Sequence, residues 1–368
     1  MLSNLTVWLK LLLALILSAA ISFLMTPPVK KFAGKVGAID VPNDGRRVHD
    51  HPIPRMGGLA IFFGFVLSVL AFVDMTTPIM GMLIGAVIIA AMGAVDDIVS
   101  LNAWVKLGIQ ILAALVAIRS GVVFDVISNP LVFSGKEFIP IGYLTVPLTV
   151  LWIVGCTNAV NLIDGLDGLA VGVSAISSLT MLVVALFVAE PNVALILAAL
   201  TGACLGFIPY NLNPAKIFMG DVGSQLLGFI LATISIMGMF KFPAIITFLV
   251  PVLAMSVPLA DTVFAFFRRI VHGQSPFHAD KGHFHHRLLA MGLSQKQAVA
   301  VLYAVSAVLG LLAVLLAGTY TLVRVVCLVL AFIISIGVWF FVFRKKPGCK
   351  SRQSQDCGEA ETDTEKKN

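Results

Sequence analysis

Pro78-Ile-Met-Gly-Met-Leu-Ile-Gly-Ala-Val-Ile-Ile-Ala-Ala-Met-Gly-Ala-Val95 is an apolar run that ends on two adjacent carboxylates, Asp96 and Asp97. A helix that crosses a bilayer needs about 20 mostly apolar residues, so the run reads as a span with acids at its end. Walking outward gives eleven such spans: roughly 5–27, 57–74, 78–95, 103–121, 144–160, 169–189, 193–210, 224–240, 243–261, 297–317 and 320–343. Composition agrees. Of 368 residues, 59% are hydrophobic and 12% charged, about half the charge usual in soluble domains. Mean hydropathy is +0.99. A soluble globule must cover its surface with groups that water tolerates, which excludes a soluble domain, a disordered chain and a coiled coil.

The first span carries the small residues Ser18-Ala19-Ala20, as a signal peptide would. Its start holds only Lys10 and its apolar stretch is too long, so it reads as a retained helix. Cys156, Cys204 and Cys327 lie in apolar runs and Cys349 and Cys357 in a polar tail. No metal spacing links them, and they read as small hydrophobes.

An odd number of spans puts the termini on opposite sides. With the C-terminal tail inside, 20 of the 25 Lys and Arg residues fall on one face. The positive-inside rule then places the N-terminus outside and the tail in the cytoplasm. The net charge of +6 is a topology signal, and nucleic acid is not an expected partner. Residues 1–343 read as one integral-membrane domain and 344–368 as a polar, disordered tail. Between spans four and five, roughly 122–143, Val-Val-Phe-Asp-Val-Ile and Lys-Glu-Phe-Ile-Pro-Ile flank turn residues and predict a small outer β-hairpin.

The polar residues gather in five cytoplasmic clusters. The first loop holds Asn43, Arg46, Arg47, His49 and Arg55. The third span ends in Asp96-Asp97. The fifth ends in Asn158-x-x-Asn161-x-x-Asp164-Gly-x-Asp167-Gly168, and the eighth opens with Gly220-Asp221-x-Gly223-Ser224. After the ninth come Asp280-Lys281 and His283-Phe-His285-His286-Arg287. A lone Asp at a helix end is ordinarily a cap or a solvated group. Five clusters on one face read instead as a shared site, because carboxylates at membrane depth are costly unless paired, metal-bound or wet. The outer acids Asp74, Asp125, Glu137 and Glu190 stand in bland surroundings.

Residue type indicates the chemistry. The Asp side chains are hard oxygen ligands suited to Mg²⁺, which keeps waters and shares itself with phosphates. Asn158, Asn161, Asp164 and Asp167 recur every three residues along one helical face. A helix N-terminus at Gly220-Asp221 would favour an anion. The histidines are too close together for an ordinary tetrahedral zinc site; with Lys281 and Arg287 beside them they suit phosphate and polar-substrate contact. The first loop reads as an anion-binding loop or as a basic anchor. Lys106 either faces phosphates or anchors its helix.

Taken in order over roughly 37–290, these motifs resemble the polyprenyl-phosphate N-acetylhexosamine-1-phosphate transferases of bacterial membranes. The resemblance implies a multi-pass enzyme of the bacterial cell membrane with a cytoplasmic site and Mg²⁺ or Mn²⁺. Its partners would be undecaprenyl phosphate, UDP-GlcNAc and membrane lipids, and a homodimer stays open. Phospho-N-acetylmuramoyl-pentapeptide transferases carry a consecutive His triplet, whereas here Phe284 interrupts it. That pattern resembles the GlcNAc-1-phosphate branch, which starts wall teichoic acid, O-antigen or related polymers. The resemblance further implies a metal held chiefly by Asp221, with Asn161 as a second ligand and Asp96, Asp164 and Asp167 assisting. Asp97 is its candidate general base or nucleophile. The remaining residues Asn43, Arg46, Arg47, His49, Arg55, Lys106, Asn158, Lys281, His283, His285, His286 and Arg287 would contact substrate. A lipid phosphate, with a second pKa of about 6, is already largely dianionic, which favours single displacement over a base-dependent route.

Two rivals fit less well. A transporter or flippase predicts acids at the bilayer midplane and broken helices. A CDP-alcohol phosphotransferase needs Ala-Arg after its first Asp-Gly, and that pair is missing at Leu166-Asp167-Gly168-Leu169.

Overall fold

The structure, a computed structural model, describes residues 5–41, 52–124, 126–128, 138–140, 142–188, 190–238, 244–271 and 283–317, with isolated positions between 326 and 333. Among them the chain is helical, with two short strand pairs. The helices are α1 (Leu5–Lys35), α2 (Gly58–Phe72), α3 (Thr77–Val99), α4 (Ala103–Arg119), α5 (Thr145–Ile163), α6 (Leu169–Val188), α7 (Pro191–Asn211), α8 (Gly220–Gly238), α9 (Ala244–Ala254), α10 (Ser256–Val271), α11 (Phe284–Ala290) and α12 (Gln295–Ala317). Seven stretches are long and apolar enough to cross a membrane: α1, α3, α5 with its preceding turn, α6, α7, α8 and α12.

The expected eleven spans are met in part. Helices α2 and α4, with 15 and 17 residues, are shorter than a full crossing. The expected ninth span is divided at Met255 into α9 and α10, with Pro251 inside α9 and Pro258 near the start of α10; proline withholds the N–H that a continuous helix needs. Helix α1 runs on through Pro27 and Pro28 to Lys35, eight residues past its expected end. The expected last span and the tail lie outside the described residues, save the isolated positions.

Enclosure sorts the helices. In the most apolar window of α8, 89% of residues are buried, against 22% in α1. Helix α8 is therefore central, and α1 turns Leu9, Leu12, Ile16 and Leu24 outward, as a lipid-facing helix should. With lipid as solvent, apolar burial hardly drives helices together, so small residues and hydrogen bonds must. Gly202 and Gly206 of α7 supply the close approach: a Cβ there would lie 2.2 Å from the Leu15 and Ala19 carbonyls of α1. Ser18 Oγ then donates to the Ala199 carbonyl at 2.6 Å, and Ser68 Oγ to that of Ala14 at 2.8 Å.

Strands β3 (Val126–Ser128) and β4 (Phe138–Pro140) pair antiparallel, Ile127 opposite Ile139, where the hairpin was expected. A second pair was not foreseen. Strands β1 (Ile39–Asp40) and β2 (Ile53–Pro54) pair antiparallel and close the base of the first loop. Beyond β2, the Phe218 N–H donates to the Pro54 carbonyl at 2.8 Å, and the Gly57 and Gly58 N–H groups donate to the Phe218 and Met219 carbonyls at 2.9 and 2.8 Å. That stitching carries Arg55 to the first turn of α8.

Candidate active site

Helices α3, α4, α5 and α8 bring their polar ends to one place. Lys106, on the first turn of α4, donates to Asp96 Oδ2 at 2.8 Å and to Asp221 Oδ2 at 3.1 Å. Arg55 places Nη2 3.3 Å from Asp97 Oδ1 and 3.8 Å from Asp221 Oδ1. Asn161 Nδ2 donates to Asp221 Oδ1 at 3.2 Å and to Ser224 Oγ at 2.8 Å. Three carboxylates from two helices thus share two cations and an amide. Arg55, Lys106 and Asp221 keep side-chain exposures of 30%, 27% and 17%, while Asp97 has none. Burial opposes the Arg55 charge, yet Asp97, Asp221, Asp40 and Asp164 raise its pKa above the ordinary value.

The two adjacent acids of α3 diverge, as neighbours 100° apart on a helix must. Asp96 turns back on its own helix end and accepts the Leu101 N–H at 2.6 Å. Asp97 faces α8 and accepts the N–H groups of Asp221 at 3.0 Å and Val222 at 3.4 Å. The helix N-terminus that invited an anion therefore holds one already, and it is Asp97. Gly220 makes the approach feasible: its φ is +71°, and a Cβ there would lie 2.2 Å from Asp97 Oδ2.

Asp164 caps the C-terminal end of α5 as a recessed, half-buried carboxyl. Burial first, and Asp221 second, push its pKa up to about 7, against the pull of Arg55. Asp167 takes a different position from its neighbours. Its Oδ2 accepts from Asn213 Nδ2 at 2.9 Å and from the Ala215 N–H at 3.1 Å, so it braces the loop between α7 and α8.

The histidines approach from the other side. Asp261, on α10 and 2% exposed, holds His283 Nδ1 at 2.8 Å with one oxygen and accepts the Phe284 N–H at 2.8 Å with the other. Phe284 is buried against Phe264, with ring centroids 5.8 Å apart. His283 and His285, which flank Phe284 in the sequence, stack almost parallel with ring centroids 5.8 Å apart. His285 lies over Gly165, where a Cβ would come within 2.4 Å of Nε2. Burial, and then His286, push the His285 pKa down to about 4, so the ring is neutral. His286 and Arg287 follow on α11. Asn43, Arg46, Arg47, His49 and Lys281 lie outside the described residues.

Sequence reasoning missed Asp261, Gln110 and Gln225. The two glutamines carry a readable signal, because each follows a charged residue by four positions, Lys106 and Asp221, and so sits one turn deeper on the same face. Asp261 is the only acid within α10, and its role depends on a distant loop.

Among the described residues no group of three His, Cys, Asp or Glu is arranged as a ready metal cage. The donor chemistry nonetheless fits Mg²⁺, which takes few protein ligands, all oxygen, and keeps its waters. Asp221 is the carboxylate that would hold it, and the Asn161 amide stands next to it with Nδ2 turned toward Asp221.

Residues 79–239 match glycosyl transferase family 4. Over 308 residues, 83% of this chain and 85% of the relative, the sequence is 42% identical to a Bacillus subtilis protein named probable undecaprenyl-phosphate N-acetylglucosaminyl 1-phosphate transferase. A Mycobacterium tuberculosis decaprenyl-phosphate N-acetylglucosaminephosphotransferase is 35% identical over 315 residues, covering 78% of this chain and 77% of the relative. A Staphylococcus aureus phospho-N-acetylmuramoyl-pentapeptide-transferase is 34% identical over 321 residues, covering 82% and 96%.

Proposed function

The chain belongs to glycosyl transferase family 4, and from that premise we propose that it transfers GlcNAc-1-phosphate from UDP-GlcNAc to undecaprenyl phosphate. The products would be UMP and undecaprenyl-diphospho-GlcNAc, the first membrane step of a cell-envelope glycopolymer. The observation that carries this reading is the cluster in which Arg55 and Lys106 stand among Asp96, Asp97 and Asp221. The choice of GlcNAc rests on the identities of 42% and 35% with proteins named for that sugar, against 34% for the pentapeptide enzyme, and on Phe284 within the histidine motif.

Both reactants are anions, so repulsion is the main obstacle. Lys106 and Arg55 reduce it by placing positive charge where the two phosphates meet. A lipid-phosphate oxygen attacks the phosphorus that bears the sugar, and the bond to UMP breaks with its electron pair leaving on the UMP oxygen. Mg²⁺ or Mn²⁺, when bound by Asp221, supplies Lewis-acid stabilisation of the charge on the departing phosphate. Asp97 has both oxygens committed to α8 and Arg55, so its role is to hold Asp221 in place. His283, His285, His286 and Arg287, with the first-loop residues and Lys281, contact the sugar and diphosphate. Asn158, Asp164 and Asp167 support the wall that carries Asn161.

The wider setting follows. Eleven spans, with the N-terminus outside and the tail cytoplasmic, would put the site on the cytoplasmic face of a bacterial cell membrane, as the placement of 20 of 25 basic residues requires. Residues 1–343 would be one domain.

Purified full-length chain, given undecaprenyl phosphate and Mg²⁺, should release UMP with UDP-GlcNAc. Release only with UDP-MurNAc-pentapeptide would move it to the other branch, and release with neither would end the transferase reading.

A further inference from the structure

Beneath the carboxylates, three helices carry neutral amides into the bundle. Gln110 of α4 and Gln225 of α8 are 2% and 1% exposed, and Asn158 of α5 is half-buried. Gln225 Nε2 donates to Asp221 Oδ2 at 3.3 Å, and Gln110 Nε2 donates to Gln225 Oε1 at 2.9 Å. Gln110 and Asn158 form a reciprocal amide pair, with Asn158 Nδ2 to Gln110 Oε1 at 2.8 Å and Gln110 Nε2 to Asn158 Oδ1 at 3.3 Å. Asn158 Nδ2 also donates to the Val154 carbonyl at 2.8 Å.

The two ends dictate the direction of this chain. A carboxylate only accepts, so Gln225 must present its nitrogen to Asp221 and its oxygen to Gln110. Gln110 must then present nitrogen to Gln225 and oxygen to Asn158. The Val154 carbonyl, also acceptor-only, demands the same orientation of Asn158 from the other end. The amide dipoles of Gln225 and Gln110 therefore both turn their positive ends toward Asp221, an arrangement in which successive hydrogen bonds strengthen one another, while Asn158 closes the far end by facing Gln110 through both its nitrogen and its oxygen.

We infer that Gln110 and Gln225 are positioning residues that set the rotamer of Asp221 through a directional amide chain, and so set the affinity of the site for its divalent cation. Interhelical hydrogen bonds alone would glue three helices together, but glue needs no fixed direction and no carboxylate at its end. The inference rests on Asp221 as a metal ligand. Groups that hold a metal ligand from behind commonly matter 10–100-fold for metal affinity.

The test measures Mn²⁺ binding directly, by electron paramagnetic resonance of free Mn²⁺ with the full chain in detergent, beside melting temperature. Gln225→Met should raise the Mn²⁺ dissociation constant about tenfold or more. Gln110→Met, which never touches Asp221, should raise it in the same direction by a smaller factor. Asp221→Ala is the control for the underlying reading and should abolish this binding; persistence there would remove Asp221 from the metal site. If Asp221→Ala abolishes binding while both methionine variants keep wild-type affinity and only melt lower, the amides are glue and the inference is wrong. An unfolded Gln225→Met sample shifts the decision to Gln110→Met, where wild-type affinity overturns it.

Discussion

Asp97 offers the sharpest test, because the resemblance makes it a base or nucleophile and the geometry makes it a cap. Its carboxylate has no exposed surface, and its polar partners among the described residues are the Asp221 and Val222 N–H groups and Arg55. Asp97→Ala removes a helix cap, about 1 kcal/mol, and leaves two enclosed N–H groups short of an acceptor, about 1–3 kcal/mol each if water does not replace it. The Arg55 pair adds little, since Arg55 is 30% exposed and screened. The cap and the two N–H groups describe the same lost bonds and count once, so a loss of about 2–6 kcal/mol follows. Asp97→Asn is milder. One oxygen still accepts the Asp221 N–H, while the new amide nitrogen faces the longer contact with Val222, so about 1–2 kcal/mol is lost. The assay pairs UMP release with thermal unfolding in detergent. If Asp97 positions Asp221, the Asn variant melts lower, retains about 1–10% of wild-type turnover, and keeps the shape of its pH profile. A loss beyond about 10⁴-fold with unchanged melting would refute the reasoning, because a fold-neutral knockout of that size marks a reacting group. A sugar-phosphate adduct trapped on residue 97 would refute it as well.

Other consequences follow from the same geometry. Lys106→Met removes the cation shared by Asp96 and Asp221; turnover should fall at least 100-fold, as expected for an electrostatic group at a phosphoryl centre, and equal activity would make Lys106 a mere anchor. Gly165→Ala puts a methyl within 2.4 Å of His285 Nε2, so the ring must move, and the KM for UDP-GlcNAc should rise about tenfold with little change in melting. Asp261→Ala should raise the same KM by releasing His283, and unchanged kinetics would confine Asp261 to packing. The stability of the fold should respond to pH through two groups with opposite sign. Asp164 is raised to about 7, so its contribution is fully present below about 4 and is lost as pH rises through 7. His285 is lowered to about 4, so its contribution is present above about 6.5 and is lost as pH falls through 4. Between about 4 and 6.5 the two slopes oppose one another. Melting temperature should therefore rise with pH more steeply in Asp164→Asn than in wild type, and less steeply in His285→Gln. Identical slopes in all three proteins would contradict both assignments.

What could be read from the sequence was whatever depends on one residue and its near neighbours. Apolar runs such as 78–95 mark helices because transfer into lipid is summed along a single segment. The bias of the basic residues sets the expectation for sidedness, and the hairpin announces itself by its turn residues. The motifs Asp96-Asp97, Asn161-x-x-Asp164 and Gly220-Asp221 stand out because acids are costly at membrane depth. Which oxygen meets which partner is a property of two segments at once, and only the tertiary structure decided it. Asp96 and Asp97 look equivalent in sequence, yet the 100° between them sends one to Lys106 and Leu101 and the other under the first turn of α8. Asp164 and Asp167 repeat at the same spacing, yet the glycine-broken turn leaves Asp164 in the field of Asp221 and Arg55 and ties Asp167 to Asn213. Asp261 and the two glutamines became meaningful only once α4, α8 and α10 were packed, since each matters through a partner between 22 and 115 residues away. Hydrophobicity acts on segments, whereas hydrogen bonds to a carboxylate depend on angles and ångströms that helix packing alone supplies.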